Sequence, residues 1–292
     1  MKNVETTVIV RTKNNSDIIS KTLKALFSQT YKDFELLIVD SGSSDDTLKQ
    51  AAFYEHKLIE VKAEDYHPGI VLNNAVSKTK TNLIVFLNSD TVMLNKHCLL
   101  NLINELKKEQ VSAVFARQIA RPEAKPWVKR DYELAFPNKS NAPTWMYFSL
   151  PLSGIKKTVW HKNPFYTKAW ASEDTKMGYD LRNKNLVVKY VANALVMHSH
   201  NYTLDQIYNR RFVEGEADAF IFNNKFSIYN MCKSYAASLF NDFKYHIKTC
   251  EYCEFTKAII RRFIYQYAYY KGHKNGQSRK ILKQKATYGN YQ

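Results

Sequence analysis

Two carboxylates stand directly behind long apolar runs: Asp40 closes FELLIVD and Asp90 closes LIVFLNSD. A continuous apolar run bounded by polar turn residues predicts a buried strand, and acids at the ends of two such strands emerge on one rim of a sheet, where ligands of open α/β sheets bind. A single aspartate after a strand is most often a turn or capping residue. The repetition of the pattern, with the polar turn SGSSDDT behind the first acid, points instead to chemistry. A third acidic feature is the adjacent pair Glu173-Asp174. Neighbouring side chains cannot both point at one hydroxyl, and the alternative for the pair is to cap and charge the first turn of the helix DTKMGYDLRNK. Finally, His198 and His200 close the run VVKYVANALVMHSH, where strand alternation puts both on one side.

These residues need a scaffold. Between Thr7 and Phe115 strand signals (Thr7–Val10, Phe34–Val39, Leu58–Val61, Leu83–Leu87, Val111–Phe115) alternate with helix signals. The helices carry Ile19, Leu23, Leu26 and Phe27 behind a cap at Ser16 or Asp17, then Leu48, Ala51 and Ala52, then Ile70 to Ser77, then Leu99, Leu102, Ile103 and Leu106. That alternation with short connections predicts a parallel sheet covered by helices. No GxGxxG and no GxxxxGK[ST] is present, so a nucleotide bound here would have its phosphates held by a metal ion and side chains. With 45% hydrophobic, 24% charged and 14% aromatic residues and only 8 Gly and 7 Pro among 292, disordered and collagen-like classes are excluded. A net charge of +16 calls for an anionic partner: nucleic acid, phosphorylated substrate or anionic membrane. The N-terminal MKNVETTVIVRT lacks the features of a signal peptide, and no apolar run is long enough to span a bilayer. Four scattered cysteines fit a reducing compartment, and the CxxC of Cys250 and Cys253 is expected to be a pair of half-buried helix cysteines.

VIVRTKNN, FELLIVDSGSSDDT and HPGIVLNNAVSKTKTNLIVFLNSD, in that order, resemble the N-terminal half of family 2 glycosyltransferases, inverting enzymes of the GT-A fold that use nucleotide sugars. WASEDTKMGYDLRNKNLVVKYVANALVMHSHNYT resembles that family's acidic catalytic motif and its metal-binding histidine strand, and the similarity runs over about residues 4 to 215. ARQIARPEAKP, SED and HSHNYTLDQIYNRRFVEGEA are most similar to the bacterial rhamnosyltransferases of the family. The resemblance implies an α/β, Rossmann-like GT-A domain with a mostly parallel central sheet over 1–204 and a helical, basic and aromatic region over 205–292. It implies transfer of L-rhamnose from dTDP-L-rhamnose to a hydroxyl of a growing surface polysaccharide or lipid-linked oligosaccharide. A UDP-hexose or UDP-N-acetylhexosamine is the alternative donor.

Residue by residue, the resemblance assigns Asp40 to the nucleotide base, with Thr12, Asn14 and Asp45 in the same pocket and Asn73, Asn88 and Ser89 completing the nucleotide site. An aspartate can accept the imide N–H of uracil or thymine. Asn88-Ser89-Asp90 stands where the family has D-x-D, so Asp90 is expected to bind Mn²⁺ or Mg²⁺ while Asn88 offers a neutral amide oxygen. Arg11, Arg117 and Arg121 are the cations that would share the neutralisation of a diphosphate. Asp174 is the expected general base, with Glu173 its neighbour, and such a base is worth roughly 10²–10⁴ in rate. His198, ahead of His200, is the expected imidazole ligand. Trp145 and Trp170 are expected to stack on sugar faces, with Arg117 also in the acceptor or sugar site, whereas Trp160 is expected in the core.

Beyond Glu254 there is no acid, while nine Lys or Arg residues follow among Phe, Ile and Tyr. Such a region either lies on an anionic membrane surface or packs against the catalytic domain or a second copy in a homodimer. A polyprenyl-diphosphate-linked acceptor fits the first reading, which places the protein in the bacterial cytoplasm, peripheral to the inner face of the membrane. Nucleic acid is not an expected partner, because no zinc finger, RRM-like signature or basic heptad region is present. A sugar nucleotidyltransferase would need a glycine-rich basic loop where this chain has VIVRTKNNSD, and retention of Asp40, Asp90, Asp174 and His198 argues against a catalytically dead subunit.

Overall fold

The computed structural model describes residues 4–222, 224–249 and 252–287; the Cys250 and Cys253 side chains lie outside the described residues. In chain order the elements are β1 (Thr6–Thr12), α1 (Ile19–Phe27), β2 (Phe34–Asp40), α2 (Thr47–Ala51), β3 (Lys57–Glu60), α3 (Pro68–Ser77), β4 (Leu83–Asn88), β5 (Val92–Met93), α4 (Cys98–Lys107), β6 (Val111–Ile119), α5 (Pro126–Ala135), β7 (Leu152–Lys156), α6 (Lys157–Lys162), α7 (Glu173–Asn183), β8 (Val187–Met197), α8 (Leu204–Ile221), α9 (Ile228–Thr249) and α10 (Tyr252–Ile281). They fall into two compact units. The first comprises the described residues of Met1–Arg121, Tyr132–Phe165 and Asp174–His198; the second those of Pro122–Asp131, Tyr166–Glu173 and Ser199–Gln292.

The first unit is built on a sheet of order β3-β2-β1-β4-β7-β6-β8-β5. β3, β2, β1 and β4 pair in parallel, as the alternating sequence pattern predicts, and β6 pairs in parallel with β8. β7 runs antiparallel between β4 and β6, and β5 antiparallel to β8. The apolar runs are continuous because both faces are covered. Val8, Val10, Leu36, Ile38, Val85 and Leu87 point to one core with Leu23 and Leu26 of α1 and Leu99, Leu102 and Leu106 of α4. Their alternates Ile9, Leu37, Val39, Ile84 and Phe86 point to another with Leu72 of α3 and Met177 and Leu181 of α7. One expectation fails: Ile18 occupies the N-cap position of α1 and no side chain caps it. The reason is that the preceding turn is held from elsewhere, Ser16 N–H donating to Asp45. The pairing of β6 with β8 jumps between Ala116↔Val191 and Arg117↔Leu195, leaving three residues of β8 bulged out just before the strand ends.

The second unit is helical. Thr203 and Gln206 form a capping box that starts α8. α8 and α10 touch backbone to backbone: a Cβ at Gly215 would overlap the Tyr269 carbonyl, one at Gly272 the Phe212 carbonyl, and one at Gly276 would lie 2.6 Å from the Glu216 carbonyl. At the other end of α10, Arg262 donates to both oxygens of Asp131 and of Asp242, and Arg130 lies 3.0 Å from each of these acids. Among the described residues no helix is long and apolar enough to cross a membrane.

Candidate active site

Thr12, Asp40 and Asn88 are the last residues of β1, β2 and β4, and the parallel registers Thr12↔Asp40 and Arg11↔Asn88 bring them level on one rim. β6 and β8 run in the same sense, so Ile119 and His198 arrive at that rim too, joined by the His198 N–H to the Ile119 carbonyl at 3.0 Å. The strand topology thus gathers residues separated by more than a hundred positions.

At the β2 end Asp40 is buried and folds the turn behind it, accepting from the N–H groups of Gly42 and Ser43 (3.0 and 2.8 Å) and from the Ser43 hydroxyl (2.5 Å). Three of the roughly four acceptor positions of a carboxylate are thereby taken. Gly42 is needed there, since its φ of +82° lies in the left-handed region. Asn14, also left-handed at φ 49°, accepts from Ser44 N–H at 2.8 Å. Asp45 binds the Thr47 hydroxyl and N–H and the Ser16 N–H, and the Thr47 hydrogen bond above all holds its carboxyl well below the usual carboxylate range. Asn14 and Asp45 therefore stitch the β1 loop to the β2 loop. Thr12 differs: its buried Oγ1 has no hydrogen-bond partner among the described residues. Asn73 is taken up by the scaffold, its carbonyl accepting from Trp160 Nε1 and Phe165 N–H (2.9 Å each) and its amide donating to Phe165 O.

At the β4 end Ser89 is buried and its N–H donates to Arg11 O, while Asn88 N–H donates to Pro151 O. The Asp90 carboxylate lies 3.6 Å from His198 Nε2, and Arg121 donates to the Asp90 carbonyl at 2.9 Å. Gln118, which no sequence motif marks, decides what this histidine can do. Its amide nitrogen donates to Ser149 Oγ at 2.8 Å, which turns its carbonyl oxygen toward His198 Nδ1 at 3.1 Å, with the Tyr132 hydroxyl 3.2 Å from the same nitrogen. With that oxygen at Nδ1 the imidazole can carry its proton there, the tautomer that would leave the Nε2 lone pair on the Asp90 side for a metal ion. His200 follows two residues along, its ring stacked on Tyr202 at 5.0 Å. A carboxylate oxygen with imidazole nitrogens fits a divalent ion such as Mn²⁺ better than a harder cation with an all-oxygen preference.

Asp174 sits in the first turn of α7 and accepts from Thr175 N–H at 2.7 Å and from Leu150 N–H at 3.4 Å; Glu173 is buried. α7 is drawn against the 147–150 segment because Gly178 has no side chain: a Cβ there would come within 2.6 Å of Phe148 Cβ and the Tyr147 carbonyl carbon. Trp170 is buried, at 8% exposure, so its ring serves packing in place of the expected sugar platform, whereas Trp145 is 57% exposed and Trp160 is in the core. Arg117 carries a buried Nε with no partner among the described residues.

The fold is that of GT-A glycosyltransferases. It is similar to the mannosyltransferase PcManGT from Pyrobaculum calidifontis in complex with GDP-Man and Mn²⁺ (TM-score 0.65, 16% identity, 93% of this chain and 86% of that one). It is also similar to S. aureus TarS 1-349 in complex with UDP-GlcNAc (TM-score 0.52, 14% identity, 96% and 93%). The model of glycosyl transferase family 2 matches residues 7–199, and the chain belongs to that family. It is 26% identical over 222 residues to the O-antigen chain rhamnosyltransferase RfbN of Salmonella typhimurium, covering 72% of this chain and 71% of the relative. The corresponding figures for WbaN of Salmonella anatum are 27% over 203 residues, covering 65% and 64%.

Proposed function

We propose that this glycosyltransferase transfers L-rhamnose from dTDP-L-rhamnose, with inversion, to a hydroxyl of a growing cell-surface glycan. The similarity to an O-antigen rhamnosyltransferase over most of both chains is the observation that carries the donor and acceptor class. Asp90 and His198, with His200 next along the chain, would hold Mn²⁺ or Mg²⁺, which supplies charge neutralisation on the leaving diphosphate. Thr12 Oγ1, without a hydrogen-bond partner among the described residues, is suited to a hydrogen bond from bound nucleotide at the strand rim, beside the remaining acceptor position of Asp40. Asp174 accepts the proton of the acceptor hydroxyl as its oxygen bonds to the anomeric carbon and the bond to the diphosphate breaks. Arg121, which donates to the Asp90 carbonyl, adds positive charge at that strand end, and Arg117 is a further cation on β6.

The experiment is a transfer assay with dTDP-L-rhamnose, UDP-glucose and UDP-N-acetylglucosamine, each with Mn²⁺ and with chelator, paired with thermal shift of the protein by each donor. Turnover and the largest shift are expected with dTDP-L-rhamnose and metal. A UDP-sugar giving both would replace the donor reading while leaving the family unchanged.

A further inference from the structure

We propose that the outer face of the α9–α10 hairpin is a docking surface for an anionic phospholipid bilayer, with both helices lying in the headgroup plane. The hairpin is inside-out for a protein facing only water. Its inner seam is polar, Asp242 pairing with Arg262 and Gln266 lying 3.5 Å from Ser238, whereas its outer face is apolar. On α9 Phe240, Phe243 and Ile247 recur at helical spacing with exposures of 59%, 47% and 46%; on α10 Ile260, Phe263 and Tyr267 recur likewise with 59%, 47% and 37%. The two stripes form one surface, because ring contacts bridge the helices at Phe243–Phe255 (5.5 Å) and Tyr235–Phe263 (5.9 Å). A contiguous apolar patch of this kind marks an interaction site.

Charge selects the occupant. Residues 228–287 hold twelve Lys or Arg against three acids, and the acid whose surroundings are described, Asp242, is consumed by Arg130 and Arg262. Exposed Lys233, Lys244 and Lys248 flank the stripe on α9, Lys244 lying 4.2 Å over the Phe240 ring. Aromatic residues to insert among headgroups, ringed by cations, suit an anionic bilayer surface. A second copy docking twofold on the same face would set like charges against each other. This proposal does not rest on the donor assignment and is read without activity.

The test is flotation of the full chain with vesicles of phosphatidylcholine alone or with phosphatidylglycerol added. Binding is expected on the anionic vesicles, falling as salt rises. Replacing Lys244 and Lys248 by Gln should lower it by about fivefold per lysine. The triple variant Phe240→Ser, Phe243→Ser, Phe263→Ser should abolish it while the melting temperature stays within a few degrees of the parent, since all three are exposed. Equal binding to both vesicle types, binding unchanged in either variant, or no flotation at all would each overturn the proposal. The last, with a concentration-dependent dimer that the triple variant dissolves, would assign the face to a second copy.

Discussion

At the scale of single residues, the site separates groups that would act on ligand from groups that hold them. Replacing Asp174 by Asn removes the proton acceptor and leaves one oxygen, which keeps the 2.7 Å contact from Thr175 N–H and gives up the longer one from Leu150 N–H, so kcat should fall roughly 10²–10⁴-fold with donor KM little changed, as steady-state kinetics would show. Gln118→Leu should act differently. Without the acceptor at Nδ1 the imidazole is free to change tautomer, and the metal concentration for half-maximal activity should rise about 10–100-fold, approaching normal turnover at high Mn²⁺. Cys98 offers a control on integrity: burial pushes its thiol up to about 12, so below that pH it is protonated and alkylating reagents at pH 8 should modify exposed Cys232 and spare Cys98 until the protein unfolds, as mass spectrometry of the peptides would record. The acids at strand ends and His198 were legible in the sequence because each terminates an apolar run. Gln118 was not, because only the β8 bulge brings it opposite Val196 and so beside His198. The local duties of Asp45 and Asn73 were equally hidden, since a polar side chain in a loop looks the same whether it meets a ligand or a neighbouring turn.

Among elements, α7 and the strand ends carry the residues proposed to act. Gly178→Ala forces α7 away from the 147–150 segment, where its Cβ would meet backbone and the Phe148 side chain. Overpacking of this kind costs about 1–3 kcal/mol, and the displacement is transmitted to Asp174 one turn earlier. The expected outcome is a drop in kcat larger than the loss in melting temperature would suggest, with the metal dependence unchanged. The alternation of apolar runs and helical periods made β1 through α4 readable, because both sheet faces are buried and the runs are uninterrupted. β7 was not readable: LSGIK is five residues long, and its antiparallel insertion between β4 and β6 depends on partners distant in sequence. The missing α1 cap has the same origin, a loop bound by Asp45 from the next strand–helix connection.

For the molecule as a whole, the contacts divide the chain along different lines from its sequence. Segments 122–131 and 166–173 belong with the helices that come after His198, and Asp131 and Arg130 of the first segment close a buried ionic group with Asp242 and Arg262. Arg262→Ala would leave Arg130 alone to face Asp131 and Asp242, two carboxylates against one cation, and should destabilise the helical unit by about 2–3 kcal/mol, visible as a separate early transition in calorimetry. The excess charge read from composition is likewise uneven, concentrated in α9, α10 and the C-terminal residues after them. The glycines where α8 crosses α10 carry a consequence of another kind. Since Gly215, Gly272 and Gly276 each face a carbonyl of the opposing helix, the space at these three positions is smaller than any side chain. In a library sampling every substitution along the chain, they would be blank columns intolerant even of alanine, rivalling the acids of the sheet rim in strictness while touching no reactant.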